Sequence, residues 1–127
     1  MQKANILIID DHDAVRQLLG MNLKRQFDVV TKRDGLEGLA WLSAGNFPDL
    51  IMLDMEMPRL NGMDFLRQLR ASGMFSDIPV LLVSGSTDAD DNAIFFDLGI
   101  SDFIKKPFSM PALREKVEGI LMKYQKV

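Results

Sequence analysis

The chain has 127 residues, one domain's worth on the usual prior of about 100 to 200 residues per domain. Its 15 Lys and Arg against 18 Asp and Glu leave a net charge of −3, which argues against a main role on a nucleic-acid backbone or an anionic membrane, since both need clustered cations. With no cysteine and a single histidine, His12, thiol catalysis, thiolate metal sites and disulfide scaffolds are excluded, leaving the chemistry of carboxylates, hydroxyls and ammonium groups.

The start Met1-Gln2-Lys3-Ala4-Asn5 runs into only four apolar residues, Ile6-Leu7-Ile8-Ile9, before Asp10; this is too short for a signal peptide, and no later run approaches a membrane span. That first run is continuous rather than alternating, the pattern of a strand buried on both faces of a parallel sheet. Val15, Leu18, Leu19 and Leu23 then recur at helix spacing, with Asp13 placed to cap the helix. Residues 28–31 are a weaker strand candidate suited to a sheet edge, followed by helix spacing at Leu36, Leu39 and Ala40. Leu50-Ile51-Met52-Leu53 and Val80-Leu81-Leu82-Val83 are two more continuous apolar runs. On the next helix, Ile94, Phe95, Phe96 and Leu98 span more than half the circumference at about 100° per residue, so at least one is expected at the surface. Residues 102–105 form a second edge candidate, and Leu113, Val117, Ile120, Leu121 and Tyr124 mark a last helix that Ser109 and Pro111 suit as a start. Trp41, Phe47, Phe65 and the nine methionines read as core and gap filling. The whole is five alternations of strand and helix, a doubly wound α/β sandwich in one domain over residues 1–127.

Open α/β sheets place their sites outside the carboxyl ends of the strands. The first run ends in Asp10-Asp11, the second continuous run in Asp54, the third in Ser84, and the last edge candidate in Lys105-Lys106-Pro107. If the strands ending at Asp10 and Asp54 are neighbours, their ends lie about 4.8 Å apart and the three carboxylates converge. At roughly 5 Å such charges repel by about 3 kcal/mol per pair, so the cluster calls for a cation. A hard divalent ion such as Mg2+ takes oxygen ligands and tolerates one or two carboxylates plus a phosphate. Lys106 adds a fixed positive charge, the Ser84 hydroxyl can donate to a phosphoryl oxygen, and a carboxylate can itself be the nucleophile of an aspartyl phosphate.

Four pieces in order, Ile8-Ile9-Asp10-Asp11, the segment from Leu53-Asp54 through Glu56, Pro58 and Asn61-Gly62, Val83-Ser84-Gly85, and Gly99 through Lys106-Pro107-Phe108, resemble the response-regulator receiver domain of two-component signalling over essentially the whole chain. The resemblance implies a flavodoxin-like five-stranded parallel sheet of order 2-1-3-4-5. It makes Asp54 the phosphoacceptor and gives Mg2+, or Mn2+ in its place, to Asp10, Asp11 and Asp54, joined by the Glu56 backbone carbonyl. Ser84 becomes the switch hydroxyl, with Gly85 leaving room for the phosphoryl group, and Phe103 the switch aromatic. Lys106 rather than Lys105 matches the family's lysine, and the Lys106-Pro107 bond is expected to be cis. Glu56 and Ser86 stand where they would tune the lifetime of the phosphorylated state.

The bland readings are solvated turn or cap residues for the aspartates and a surface lysine for Lys106. His12, beside the acidic pair, invites a role as metal ligand or phosphate carrier, but with no second His or Cys a surface loop residue is the favoured reading. Asp88, Asp90 and Asn92 have the spacing that opens a calcium loop, but Ala93 and Gly99 stand where that loop needs Gly and Glu. No Walker or dinucleotide glycine motif occurs. Two other readings stay open: an aspartyl-phosphate phosphatase of the haloacid-dehalogenase type, with Glu56 where that family wants a second Asp, and an inert receiver-like interaction module. The resemblance further implies a cytoplasmic regulator, not an enzyme beyond self-catalysed phosphoryl transfer. Its donor is a histidine kinase or phosphotransfer protein, and its downstream protein partner docks on the face of the fourth helix, fifth strand and last helix. Phe95 and Asp97 mark that surface; the lack of basic residues on the fourth helix favours a monomer or weak dimer, with no output domain and no direct nucleic-acid contact.

Overall fold

The structure, a computed structural model, describes residues 3–55, 57, 59–85 and 89–124, with the backbone alone at 89–92. Ten elements alternate: β1 (Asn5–Ile9), α1 (Asp13–Leu23), β2 (Asp28–Lys32), α2 (Gly35–Ser43), β3 (Leu50–Asp54), α3 (Gly62–Ala71), β4 (Val80–Ser84), α4 (Ala89–Asp97), β5 (Asp102–Lys105) and α5 (Met110–Tyr124). The strands form one parallel sheet in the order β2-β1-β3-β4-β5, as expected.

The continuous apolar runs have a direct cause. Successive strand side chains point to opposite faces, and both faces are covered. Ile6, Ile8, Leu50, Met52, Leu81 and Val83 enter a core with α1 and α5. Leu7, Ile9, Ile51, Leu53, Val80 and Leu82 enter a second core with α2, α3 and α4. Each fully buried side chain of this kind contributes about 1.5–3 kcal/mol, so the three central strands hold the two layers together, while edge strand β2 is half exposed.

Three expectations need correction. Asp13 is the first residue of α1 rather than its cap; His12 takes the cap position and makes no side-chain cap bond, while Asp13 pairs with Arg16. On α4 it is Phe95 that is buried, and Ile94 and Phe96 are exposed, because only one ring of the adjacent pair can face the sheet. Phe47, Met21, Met74 and Met122 are exposed rather than core filling. Ser109 does cap α5, its Oγ accepting from the Ala112 N–H at 3.2 Å. Asn61 caps α3 in the same way, accepting from the Asp64 N–H at 2.9 Å.

Away from the strand ends, Arg70 ties α3 to its surroundings. Its guanidinium donates to the carbonyls of Ser76 (2.7 Å), Ile78 (2.9 Å), Leu98 (3.0 Å) and Gly99 (2.9 Å). It thereby holds the α3–β4 loop and the end of α4 on one cation. No helix among the described residues is long and apolar enough to cross a membrane.

Candidate functional site

Register delivers the acidic residues to one place. Ile9 pairs with Leu53 across β1 and β3, so Asp10 and Asp54 follow at neighbouring strand ends. The Asp10 N–H donates to the Lys32 carbonyl at 3.1 Å, and Arg16 donates to the Asp10 carbonyl at 2.8 Å, which fixes the turn leaving β1. Ser84 pairs with Lys105 across β4 and β5, and the Lys106 N–H donates to the Ser84 carbonyl at 2.8 Å. The Lys106–Pro107 peptide is cis. Beyond that turn it is Lys106, not Lys105, whose ammonium reaches Asp54, with Nζ 3.4 Å from Oδ1.

The carboxylates are unequally exposed. Asp10 and Asp54 are almost wholly buried, whereas the side chain of Asp11 is 30 % exposed and that of Lys106 is 31 % exposed. One donor atom from each of Asp10, Asp11, His12 and Asp54 lies within 4.8 Å of the other three. His12, the residue read as a bystander, is 56 % exposed and yet turned inward, its Nδ1 3.0 Å from Asp10 Oδ1, 3.1 Å from Asp11 Oδ1 and 3.8 Å from Asp54 Oδ2. Its hydrogen bond to Asp10 and, next, the charge of Asp11 hold the imidazole above its usual range, against the opposing effects of burial and of Lys106. Because the ring bonds Asp10 Oδ1, the buried Asp11 Oδ1 feels its charge without accepting a hydrogen bond. A set of hard oxygens, one of them shielded from water and lacking a donor, fits a divalent ion such as Mg2+.

Ser84 closes β4 and is buried, with its Oγ donating to Met55 Sδ at 3.3 Å. Beside it, a Cβ at Gly85 would meet no atom of the described residues within 4 Å. Phe103 is half-buried on β5 and packs edge-to-face on Phe96, with ring centroids 5.9 Å apart. Glu56 and Ser86, expected as backbone ligand and lifetime residues, lie outside the described residues.

Several contributors carry no strong sequence signal. Gly62 opens α3 where a Cβ would stand 2.8 Å from the Asp54 carbonyl oxygen, so only glycine allows this approach. Asp34 is buried, caps α2 by accepting from the Glu37 N–H at 2.9 Å, and pairs with Arg59. Burial alone would push the Asp34 carboxyl up, but the Glu37 N–H and the Arg59 guanidinium outweigh it and hold it below the usual range. Arg59 itself takes a left-handed φ of 66°, so this pair fastens the turn after Asp54 to the start of α2. Adjacency to the acidic pair was the one hint for His12, and Met55 offered none.

Residues 6–118 match the model of the response regulator receiver domain. Among curated proteins, the chain is 34 % identical to a probable transcriptional regulator, ycf27, of Porphyridium aerugineum over 99 % of this chain and 51 % of that one. Among solved structures, it resembles the signal receiver domain of a signal transduction histidine kinase from Syntrophus aciditrophicus, with TM-score 0.88, 29 % identity and coverage of 98 % and 94 %. The chemotaxis protein CheY4 of Vibrio cholerae superposes with TM-score 0.86 at 26 % identity, covering 93 % of this chain and 98 % of that one. The chain spans about half the length of the curated regulators that it matches.

Proposed function

The chain belongs to the response regulator receiver domain family, and from that premise we propose that it is a phosphorylation-activated signalling switch whose phosphoacceptor is Asp54. The observation that carries this reading is the Lys106 ammonium 3.4 Å from the buried Asp54 carboxylate, within the acidic cluster of Asp10 and Asp11. An Asp54 oxygen attacks phosphorus, forming the O–P bond as the N–P bond to the donor's phosphohistidine breaks, and the departing imidazole takes up a proton. Asp10, Asp11 and Asp54 would hold Mg2+, with Mn2+ able to substitute, and the ion would neutralise phosphoryl oxygens. Lys106 holds a third oxygen from the opposite side. The Ser84 hydroxyl leaves Met55 and donates to the new phosphoryl group, beside Gly85.

The donor is a histidine kinase or a phosphotransfer protein. Phosphorylation then shifts a pre-existing equilibrium of the α4–β5–α5 face, where Phe103 packs on Phe96 and where Ile94 and Phe96 are exposed. The downstream protein docks on that face, with Phe96 replacing the buried Phe95 as its apolar contact. We place the module in the cytoplasm, as a monomer or weak dimer, without direct nucleic-acid contact. Family membership removes the phosphatase alternative, and the inert-module alternative has a direct test. Incubation with an acyl phosphate and Mg2+ should add one phosphoryl group by intact mass, and Asp54→Asn should abolish it; full phosphorylation of the variant would refute the assignment.

A further inference from the structure

We infer that His12 is a fourth ligand of the ion site, binding through Nδ1, and that it turns an all-oxygen Mg2+ site into one favouring divalent transition ions such as Mn2+ and Co2+. The inference rests on the reading of Asp10, Asp11 and Asp54 as the ion site. An octahedral ion with bonds of about 2.1 Å puts neighbouring donors about 3.0 Å apart and opposite donors about 4.2 Å apart. His12 Nδ1 already lies at the neighbour spacing from two carboxylate oxygens, at 3.0 Å from Asp10 and 3.1 Å from Asp11, and its 3.8 Å to Asp54 falls between the two limits. These spacings place His12 Nδ1 where an ion held by the carboxylates could also meet it, all four donors lying within 4.8 Å of one another.

The placement has a structural cause. His12 caps α1 in an extended conformation, and its own N–H donates to Asp10 Oδ1 at 2.9 Å. Backbone and ring thus converge on the same carboxylate. To bind the ion, Nδ1 gives up the proton that it shares with Asp10 Oδ1, and the ring keeps its other proton on Nε2. A nitrogen donor adds little for Mg2+, which keeps to oxygen, and more for each ion along the series from Mn2+ to Co2+ and beyond. With a single histidine in the chain, no other imidazole can supply this ligand.

That uniqueness makes the test clean. Tag-free protein loaded with Mn2+ is examined by electron spin-echo envelope modulation, with the histidine nitrogens alone isotopically labelled in a second sample. The expected result is a nitrogen coupling of directly bound imidazole that changes with the label, together with a Co2+-over-Mg2+ preference, from competition calorimetry, that drops about tenfold or more in His12→Asn. Stoichiometric Mn2+ binding without a label-sensitive coupling, abolished by Asp10→Asn, overturns the role of His12 and leaves the carboxylate site standing. Mn2+ that fails to bind, or binds undiminished in Asp10→Asn, overturns both.

Discussion

Replacing Gly62 by alanine is expected to disturb Asp54, the proposed phosphoacceptor, from behind. The new Cβ would stand 2.8 Å from the Asp54 carbonyl oxygen, 2.9 Å from Met55 Cα and 3.0 Å from the Met55 carbonyl oxygen. All three are backbone atoms, so no rotamer relieves them, and reaching ordinary contact at 3.4 Å needs a movement of about 0.6 Å at Asp54. β3 is paired on both sides, and the Gly62 N–H donates to the Met55 carbonyl at 3.1 Å, so the displacement falls on the turn between Asp54 and α3. Overpacking of this kind costs about 1–3 kcal/mol. At about 4 °C per kcal/mol for a domain of this size, the melting midpoint should drop by about 4–12 °C. A misplacement of about 1 Å can cost about a hundredfold in rate, so phosphorylation by acyl phosphate should slow about tenfold. Gly119→Ala is the control: it lies inside α5 with nothing within 4 Å of its Cβ, and the helix should gain about 0.5–1 kcal/mol. Circular dichroism melts of both variants decide the matter. If Gly62→Ala melts with the wild type, or moves in the same direction as Gly119→Ala, the contact reasoning is wrong.

Met55→Leu keeps the volume but removes the sulfur that accepts the Ser84 hydroxyl at 3.3 Å. Stability should change by less than about 1.5 kcal/mol, while beryllofluoride with Mg2+ should bind a few times more tightly, as fluorescence or calorimetric titration would record; weaker binding would contradict the tether. Asp34→Ala removes the α2 cap and the partner of Arg59, and urea unfolding at neutral pH should show a loss of about 1–2 kcal/mol. Since the folded carboxyl lies below its unfolded value, its stabilisation is complete above about pH 3.9 and fades as pH falls through the folded value. The gap between wild type and variant should therefore narrow in acid; a gap that widens would reverse the sign of the shift. Arg70→Met strips four carbonyls of their shared donor and should cost about 2–3 kcal/mol in the same assay, whereas a change near zero would mean that water replaces the guanidinium without loss.

β1, β3 and β4 are legible because a strand covered on both faces cannot alternate, so four apolar residues stand together in each. The edge strands are fainter for the complementary reason: β2 spends part of its surface on solvent and mixes Asp28, Thr31 and Lys32 among its valines. α3 buries Gly62, Phe65, Leu66 and Leu69 and sets them against the exposed Asp64, Arg67 and Gln68, an amphipathic contrast that the chain carries locally. On α4, periodicity shows that Ile94, Phe95 and Phe96 cannot all turn inward but is silent on phase. Phase is set by the burial of Phe95 in the second core, a tertiary fact that the local pattern does not contain. The same limit explains Asp13 and His12: either can precede a helix, and a shift of one residue follows from the hydrogen bond that Asp10 offers the His12 N–H.

The site divides along the same physical line. Carboxylates and a lysine at the ends of parallel strands announce themselves, because topology gathers those ends whatever the loops do, and their chemistry belongs to the side chain itself. Histidine and methionine carry no such message; His12 and Met55 matter because a loop aims one at Asp10 and the other at Ser84. Exposure then orders the parts. Asp10 and Asp54 are sealed at 3 % and 2 % side-chain exposure, whereas His12 and Lys106 remain at 56 % and 31 %. Among the described side chains of the site, His12, Lys106 and Asp11 thus reach solvent, the first and last on the turn after β1 and Lys106 on the turn after β5. An incoming phosphoryl dianion would meet the Lys106 ammonium on one side and the carboxylates of Asp10, Asp11 and Asp54 on the other. Lys106 alone does not offset three carboxylates, so a divalent ion among them would supply the positive charge that lets a chain of net charge −3 receive a dianion.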